Sequence, residues 1–151
     1  MKTNKTDDYI NPKYKNVYRH TRTTVSLLNY HFVFTPHYRR KIFAIPGVGE
    51  RVEQLIREKS SALDVEILNF TANVDHVHLF VNMPPTQGIP QYMHAIKGYS
   101  SKVIREEFPQ LQAMAALWTR SYFVSTAGNI ASSTIQNYID NQKKSEYKRR
   151  T

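Results

Sequence analysis

Hydrophobic and polar positions alternate in four stretches of the chain, and this alternation predicts four strands. In the first stretch, Tyr30, Phe32 and Phe34 fall on one side of an extended backbone. A short turn separates the second and third stretches, which together predict a hairpin. The stretches are 25–36 (VSLLNYHFVFTP), 64–71 (DVEILNFT), 74–83 (VDHVHLFVNM) and 117–126 (LWTRSYFVST).

Three other stretches carry apolar residues at helical spacing. Val52, Leu55 and Ile56 recur at intervals of three and four with charged residues between them. Pro90 stands in the first turn of the second helix and Pro109 lies just past its end, as proline tolerates both places. The predicted helices span 50–63, 87–108 and 129–145.

The order strand, helix, strand, strand, helix, strand, helix predicts an α+β fold. We expect a ferredoxin-like, RRM-like antiparallel sheet of about four strands, with helices packed on it and an extra C-terminal helix. Residues 1–22 are expected to form a flexible basic arm, 23–145 a single domain and 146–151 a basic tail.

Composition narrows the function classes. Of 151 residues, 21 are Lys or Arg and 12 are Asp or Glu, which gives a net charge of +9 and favours an anionic partner such as nucleic acid over an unspecialised basic surface. The chain has no Cys, so thiolate chemistry, zinc fingers and disulfides are excluded. No apolar run approaches the ~20 residues of a membrane helix. We therefore expect a soluble, cytoplasmic protein without membrane contact.

Two pairs of residues carry candidate chemistry. His76 and His78 lie two positions apart in a predicted strand, so both project from one face and could converge on a metal ion. Two histidines in a strand are more commonly surface or hydrogen-bonded residues, so that interpretation also stays open. Tyr138 and Gln142 lie one helical turn apart and share a face of the last helix. A helical Tyr is commonly a half-buried packing residue, so both interpretations of that pair stay open.

Taken together, these segments are similar to a known family. The strand DHVHLFV, the helix IKGYSSKVIREEFP, the strand LWTRSYFVST and the helix IQNYIDNQ resemble, in order and spacing, the small single-tyrosine HUH transposases. The opening NYHFVFTPHYRRKIF also looks like the first strand and loop of that family. This IS200-like family moves bacterial insertion sequences as single-stranded DNA, and the resemblance covers roughly 25–142.

The resemblance implies a role for each residue. Tyr138 matches the nucleophile, His76 and His78 match the metal-binding histidines, and Gln142 matches the amide that completes the metal site. The implied cofactor is Mg²⁺ or Mn²⁺, and the implied reaction is cleavage and rejoining of single-stranded DNA through a 5′-phosphotyrosine. The family acts as a homodimer in which the Tyr helix of one subunit completes the site of the other. Gly128 matches the hinge of that helix, although a glycine that merely ends a strand fits the sequence equally well.

DNA contacts are expected from basic residues. Arg39, Arg40 and Lys41 form a basic loop with aromatic neighbours, which suits backbone contact and base stacking. Lys97 and Lys102 lie on the second predicted helix. Each of these five residues is either a DNA contact or a solvated charge. In the family, the substrate is single-stranded DNA with hairpins at the element ends.

Two alternatives accompany the transposase hypothesis. One is a domesticated relative that acts on chromosomal repeat hairpins, which only substrate choice or genomic context separates from an element-borne enzyme. The other is a non-catalytic module that binds single strands, since RNA-recognition domains share the same plan. Such a module displays aromatics on its sheet face, where this sequence places His76 and His78.

Overall fold

The computed structural model describes residues 18–128, and this part of the chain forms a four-stranded sheet, a two-stranded sheet and two α-helices. The elements are β1 (Arg19–His20), β2 (Val25–Ser26), β3 (Asn29–Phe34), α1 (Val48–Ala62), β4 (Glu66–Ala72), β5 (Val77–Asn82), α2 (Ile89–Glu107) and β6 (Phe123–Thr126). Short 3₁₀ turns lie at His37–Arg39, Ile42–Ala44 and Pro109–Leu111.

The main sheet has the strand order β4-β5-β3-β6, and all neighbouring strands are antiparallel. Strands β3 and β5 occupy its centre, and each helix crosses over the sheet between two strands that are not neighbours. This is the predicted α+β, ferredoxin-like plan, and the prediction is confirmed. The extra C-terminal helix expected at 129–145 lies outside the described residues.

Both helices pack on one face of the sheet, here called the helix face. Helix α1 buries Val52, Leu55 and Ile56, the stripe that its spacing predicts, and it also buries Val48. It begins two residues earlier than predicted, directly after Gly47, which adopts the left-handed conformation that glycine tolerates best. Helix α2 ends at Glu107, before Pro109.

The core fills the space between these helices and the central strands. Phe32, Phe34, Leu79 and Val81 all point to the helix face and are at most 1% exposed. Burial of one such side chain contributes about 1.5–3 kcal/mol to stability. The alternation predicted for β3 therefore has its physical basis in this apolar layer.

The predicted strand at 117–126 is shorter in the structure, since β6 covers only Phe123–Thr126. Trp118 makes one isolated bridge with Pro36, and its indole Nε1 donates to Ser100 Oγ at 2.9 Å. Leu117 is fully buried. The first half of the apolar stretch thus packs into the core instead of extending the sheet.

The boundary predicted for the N-terminal arm also differs. Arg19–His20 forms β1 and pairs with Val25–Ser26, so the folded part begins before residue 22. Arg19 Nε donates to Asn82 Oδ1 at 2.6 Å, which ties this short hairpin to the main sheet. Among residues 18–128, no helix is long and apolar enough to cross a membrane.

Candidate active site

The face of the sheet opposite the helices, here called the site face, is lined by polar and aromatic side chains. Because paired residues in neighbouring strands point to the same side, the register sets His31 beside Phe80 and Val33 beside His78. His31, His78 and Phe80 are only 4%, 4% and 3% exposed. The site face is therefore a packed polar layer and not a bare sheet surface.

The two histidines singled out from the sequence are neighbours. His78 lies in β5, and His76 is the residue directly before this strand. Their ring centroids are 5.0 Å apart at an interplanar angle of 76°. Both side chains are buried. The structure thus brings together the two imidazoles that the spacing of the sequence placed on one face.

His76 is held by two neighbours from the turn between β4 and β5. Its Nδ1 lies 2.9 Å from Asp75 Oδ1, and its Nε2 lies 2.7 Å from Asn73 Nδ2. A carboxylate only accepts hydrogen bonds, so the ring donates from Nδ1 and its Nε2 lone pair accepts from the amide. The backbone N–H of Asn73 also donates to the carbonyl of His76 at 2.8 Å.

Arg39 reaches the same cluster from the loop after β3. Its guanidinium lies 3.2 Å from Asp75 Oδ2, so Asp75 bridges Arg39 and His76. Tyr38 and Arg39 both have positive φ, 58° and 52°, a conformation that costs non-glycine residues energy. Two backbone hydrogen bonds hold this loop, from His37 N to Leu117 O and from Arg39 N to Pro36 O, both at 2.8 Å.

The other basic residues of the loop face solvent. Arg40 and Lys41 are exposed, and the Tyr38 ring is 80% exposed beside His37. The loop therefore carries two exposed cations and one exposed aromatic ring next in sequence to Arg39, the residue that reaches Asp75.

His78 has a partner that the sequence analysis missed. His31 Nε2 lies 3.1 Å from His78 Nδ1, and the His31 ring stacks on Phe80 with centroids 4.2 Å apart. Burial lowers the pKa of His31 to about 4, so this ring is neutral at pH 7. The signal was available, because a β3 that directs Phe32 and Phe34 to the core must direct His31 to the opposite face.

The far end of the site face carries a row of amide hydrogen bonds. Asn82 Nδ2 donates to Asn29 Oδ1, and Asn29 Nδ2 donates to Gly128 O, both at 2.7 Å. Arg19 Nη2 adds a bond to the carbonyl of Asn82 at 3.1 Å. The row links β1, β5 and β3 to the end of the described chain.

The two lysines predicted as DNA contacts lie on α2, on the opposite side of the sheet from the histidines. Lys97 Nζ donates to the carbonyls of Thr119 and Arg120 at 2.6 and 3.2 Å and lies 5.6 Å from the centre of the Tyr122 ring. Burial lowers the pKa of Lys97. Lys97 thus anchors the segment before β6, while Lys102 is exposed.

The remaining predicted site residues lie at the end of the described chain or beyond it; they are Gly128, Tyr138 and Gln142. Gly128 has φ of 60°, and no heavy atom lies within 4 Å of the place where a Cβ would sit. A positive φ in open space suits glycine at a hinge or a turn. Tyr138 and Gln142 lie outside the described residues.

Two of the predicted metal ligands, His76 and His78, lie within the described residues. Within residues 18–128, no group of three or more His, Asp or Glu residues could hold a metal ion by itself. His76 and His78 supply two neighbouring imidazoles, and the Nδ1 atom of each faces another side chain. A site built on them needs a further ligand from elsewhere, which is the place that the sequence prediction gives to Gln142.

Comparison with known proteins identifies related sequences. The family model described as "Transposase IS200 like" matches residues 24–142. The transposase ISDra2 TnpA of Deinococcus radiodurans is 29% identical over 128 residues, which cover 83% of this chain and 91% of that protein. The transposase for insertion sequence element IS200 of Salmonella typhimurium is 34% identical over 119 residues, 75% of each chain.

Solved structures show the same fold. A crystal structure of a candidate transposase from Deinococcus radiodurans R1 superposes with a TM-score of 0.68 at 28% identity, covering 82% of this chain and 97% of the other. A REP-associated tyrosine transposase bound to a REP hairpin superposes with a TM-score of 0.54 at 11% identity, covering 82% and 67%. The second likeness is one of fold alone.

Proposed function

This chain belongs to the IS200-like transposase family, and on that premise we propose that it cleaves and rejoins single-stranded DNA at insertion-sequence ends through a 5′-phosphotyrosine intermediate, with a divalent metal ion. The observation that carries the proposal is the pair of imidazoles, His76 and His78, side by side on the site face. Two adjacent histidines beside an exposed basic loop suit a metal ion that must also meet a phosphate.

Tyr138 is the proposed nucleophile. Its phenolic oxygen forms a bond to the scissile phosphorus while the bond from phosphorus to the 3′ oxygen breaks. The phenol gives up its proton, and the departing 3′ oxygen takes up a proton to become a 3′-OH. A phenol with a pKa of about 10 also leaves readily, so a free 3′-OH can reverse the step and join strands. No nucleotide cofactor is consumed.

His76, His78 and Gln142 are the residues that would hold the metal ion, Mg²⁺ or Mn²⁺. When bound, such an ion polarises the scissile phosphate and offsets the charge that develops on its oxygens. Mg²⁺ prefers oxygen ligands, whereas imidazole nitrogen is better suited to Mn²⁺. We therefore expect Mn²⁺ to support cleavage at a lower concentration than Mg²⁺.

The exposed side chains of the loop after β3 are the proposed DNA contacts. Arg40 and Lys41 would neutralise phosphates, and the open ring of Tyr38 would stack on an unpaired base. Arg39 pairs with Asp75 at 3.2 Å, and its side chain stays 62% exposed, so it remains a proposed DNA contact with them. The single-stranded partner would carry hairpins at the element ends, and the net charge of +9 favours its binding.

The proposal includes a homodimer with composite sites. In this assembly, Tyr138 of one subunit would act with His76 and His78 of the other, and Gly128 would permit the change of backbone direction that places the Tyr helix. Its positive φ in open space is compatible with that role.

The test is the formation of a covalent protein–DNA adduct. The purified protein is incubated with labelled single-stranded oligonucleotides that carry the ends of its element, with Mn²⁺, with Mg²⁺ or with a chelator, and the adduct is resolved on a denaturing gel. We expect the adduct only with metal, and none in Tyr138→Phe or in the double variant His76→Ala, His78→Ala. His94→Ala, which removes an exposed histidine of α2, is the matched control.

An adduct in Tyr138→Phe would show that the nucleophile is another residue. Tight strand binding without metal-dependent cleavage would favour the non-catalytic binding module. A chromosomal repeat hairpin cleaved in preference to the element ends would favour the domesticated relative, and the two oligonucleotides are therefore compared in the same assay.

A further inference from the structure

Two of the arginines form ion pairs of different geometry. Arg51 of α1 donates to Glu107 of α2 twice, from Nε to Oε2 and from Nη2 to Oε1, both at 2.8 Å. Arg39, in the loop after β3, meets Asp75 through Nη2 and Oδ2 at 3.2 Å. A guanidinium binds a carboxylate most tightly when two parallel hydrogen bonds form. The pair of Arg39 with Asp75 is therefore the weaker of the two.

Asp75 divides its two oxygens between two partners. Oδ1 lies 2.9 Å from His76 Nδ1, and Oδ2 faces the Arg39 guanidinium. The Asp75 side chain is 13% exposed, whereas that of Arg39 is 62% exposed. The carboxylate is thus held within the fold, and the guanidinium reaches it from the solvent side. A ligand in solution can approach the guanidinium without passing through the core.

The backbone of the loop has supports other than this ion pair. Tyr38 and Arg39 hold φ of 58° and 52°, a conformation that persists in non-glycine residues only where the surrounding structure maintains it. Backbone hydrogen bonds supply that support, from His37 N to Leu117 O and from Arg39 N to Pro36 O. Loss of the ion pair therefore leaves the backbone that presents Arg39 in place.

We propose that Asp75 takes the place of a DNA phosphate at Arg39 in the DNA-free protein, and that a phosphate of the bound strand displaces it. The inference rests on the proposed function, which names single-stranded DNA as the substrate. A phosphate can accept two parallel hydrogen bonds from one guanidinium, whereas Asp75 meets Arg39 through one oxygen. The displacement gives Arg39 a better ligand, and Asp75 retains its contact with His76.

An ion pair that must open before the strand binds lowers the affinity for that strand. Measured exposed pairs correspond to a change of about 1.4- to 5-fold in an equilibrium constant. Removal of the Asp75 charge should therefore tighten the binding of single strands by about two- to five-fold. Removal of the Arg39 charge should instead delete one phosphate contact, which the salt dependence of binding reports.

The first measurement is the salt dependence of binding, followed by fluorescence anisotropy of the labelled element-end oligonucleotides with a chelator present. For single strands, the slope of log K against log salt is about −0.7 per phosphate neutralised. We expect Arg39→Gln to make the slope less steep by about 0.7. Arg51→Gln, the matched control, should leave it unchanged, because Arg51 stays with Glu107. Equal slopes in wild type and Arg39→Gln would overturn the proposal.

The second measurement is a double-mutant cycle. Asp75→Asn removes the charge but keeps an oxygen that can accept from His76. It should bind the oligonucleotide about two- to five-fold more tightly than the wild type. Glu107→Gln, which changes the net charge equally, should change the affinity by less than about two-fold, since solvent and salt screen a distant charge.

The cycle is closed by Arg39→Gln in both backgrounds. Its loss of affinity should be larger in Asp75→Asn than in the wild type, because Arg39 has no competing anion in that background. The expected ratio of the two losses is again about two- to five-fold. Equal losses would show that Asp75 does not compete with DNA. If Asp75→Asn does not fold, the salt slopes of Arg39→Gln and Arg51→Gln still decide.

The two proposals fail in different ways. The expected slopes and affinities in a protein that forms no covalent adduct would contradict the proposed cleavage and support the displacement of Asp75. Adduct formation with equal slopes in wild type and Arg39→Gln would contradict the displacement alone. A wild type that binds no oligonucleotide at any salt concentration would contradict both.

Discussion

The two faces of the four-stranded sheet are stabilised in different ways, although the same strands form both. On the helix face, Phe32 and Leu79 lie side by side and pack against α1 and α2. On the site face, their chain neighbours His31 and His78 lie next to one another, each buried and each bonded to the other. The helix face is stabilised by burial of apolar surface, which requires no particular direction of contact. The site face depends on the geometry of individual hydrogen bonds.

The difference teaches where function resides in this fold. Apolar packing tolerates exchange of one hydrophobic side chain for another of similar volume. A buried hydrogen-bonded pair does not, because removal of one partner leaves the other without its bond in a place that water does not reach. We therefore expect the site face to carry the specific chemistry and the helix face to supply the rigid support.

Neighbouring residues of β5 separate the two faces most sharply. His78→Ala should reduce metal-dependent cleavage by more than the roughly 100-fold that loss of an outer partner costs. Leu79→Ala should instead lower the free energy of unfolding by about 2–5 kcal/mol, through loss of buried surface and formation of a cavity. Urea unfolding and adduct formation, measured on both variants well below their melting temperatures, check the prediction.

Either of two results would contradict this prediction. If His78→Ala lost more stability than Leu79→Ala, or if Leu79→Ala lost cleavage while still folded, the division of labour between the faces would be wrong. A change from Leu79 to Met, which nearly conserves volume, is the control and should cost less than about 1.5 kcal/mol.

The amide row at the far end of the site face has a smaller expected effect. Asn82→Ala removes the partner of Asn29 Oδ1 and of Arg19 Nε. Leaving buried polar groups without partners should lower the free energy of unfolding by about 1–3 kcal/mol in urea titration. Glu66→Gln, at the exposed start of β4, should change it by less than about 0.5 kcal/mol. Equal values for the two variants would show that the row contributes nothing.

The smallest expected effect is on the pH dependence of stability. The site face should limit stability at acidic pH, and the helix face should limit it at alkaline pH. On the site face, burial lowers the pKa of His31 from 6.5 to about 4. Between those values the unfolded chain binds a proton that the folded protein does not, so stability is full above pH 6.5 and falls as the pH drops toward 4. Thermal melting from pH 7 to 4 should show a shallower decline in His31→Gln.

On the helix face, burial raises the pKa of Tyr92 to about 12, while a hydrogen bond with Ser60 Oγ at 2.8 Å opposes the shift. The unfolded chain loses the phenolic proton near pH 10 and the folded protein retains it. Stability is therefore full below pH 10 and falls between pH 10 and 12. In Tyr92→Phe this contribution to the alkaline decline should disappear, and an unchanged curve would assign it to another group.

The sequence predicts the helix face better than the site face, for a physical reason. The period of two in β3 and β5 and the helical stripe of α1 mark apolar burial, which leaves a pattern along the chain. The contact between His31 and His78 joins residues 47 positions apart and depends on strand register. Likewise, the pairing of Arg39 with Asp75 needs two positive φ values that no pattern of residue types announces.

Lys97 is a second residue whose contacts the sequence did not predict. Its charge and its place on a helix suggested a DNA contact, yet the ammonium caps two backbone carbonyls of the segment before β6. A basic side chain long enough to reach across a groove can satisfy buried acceptors as easily as phosphates. Charge alone therefore could not assign it.

The hydrogen bond from Asn29 Nδ2 to the carbonyl of Gly128 limits how far Tyr138 can lie from the sheet. Since Ala127 N also bonds the carbonyl of Asn29 at 2.8 Å, the chain leaves the sheet from a fixed origin on its central strand β3. Tyr138 lies ten positions after Gly128, and ten residues span at most about 35 Å when fully extended. Any dimer in which Tyr138 serves the partner's histidines must therefore bring them within that radius, which makes subunit spacing a measurable criterion for the shared site.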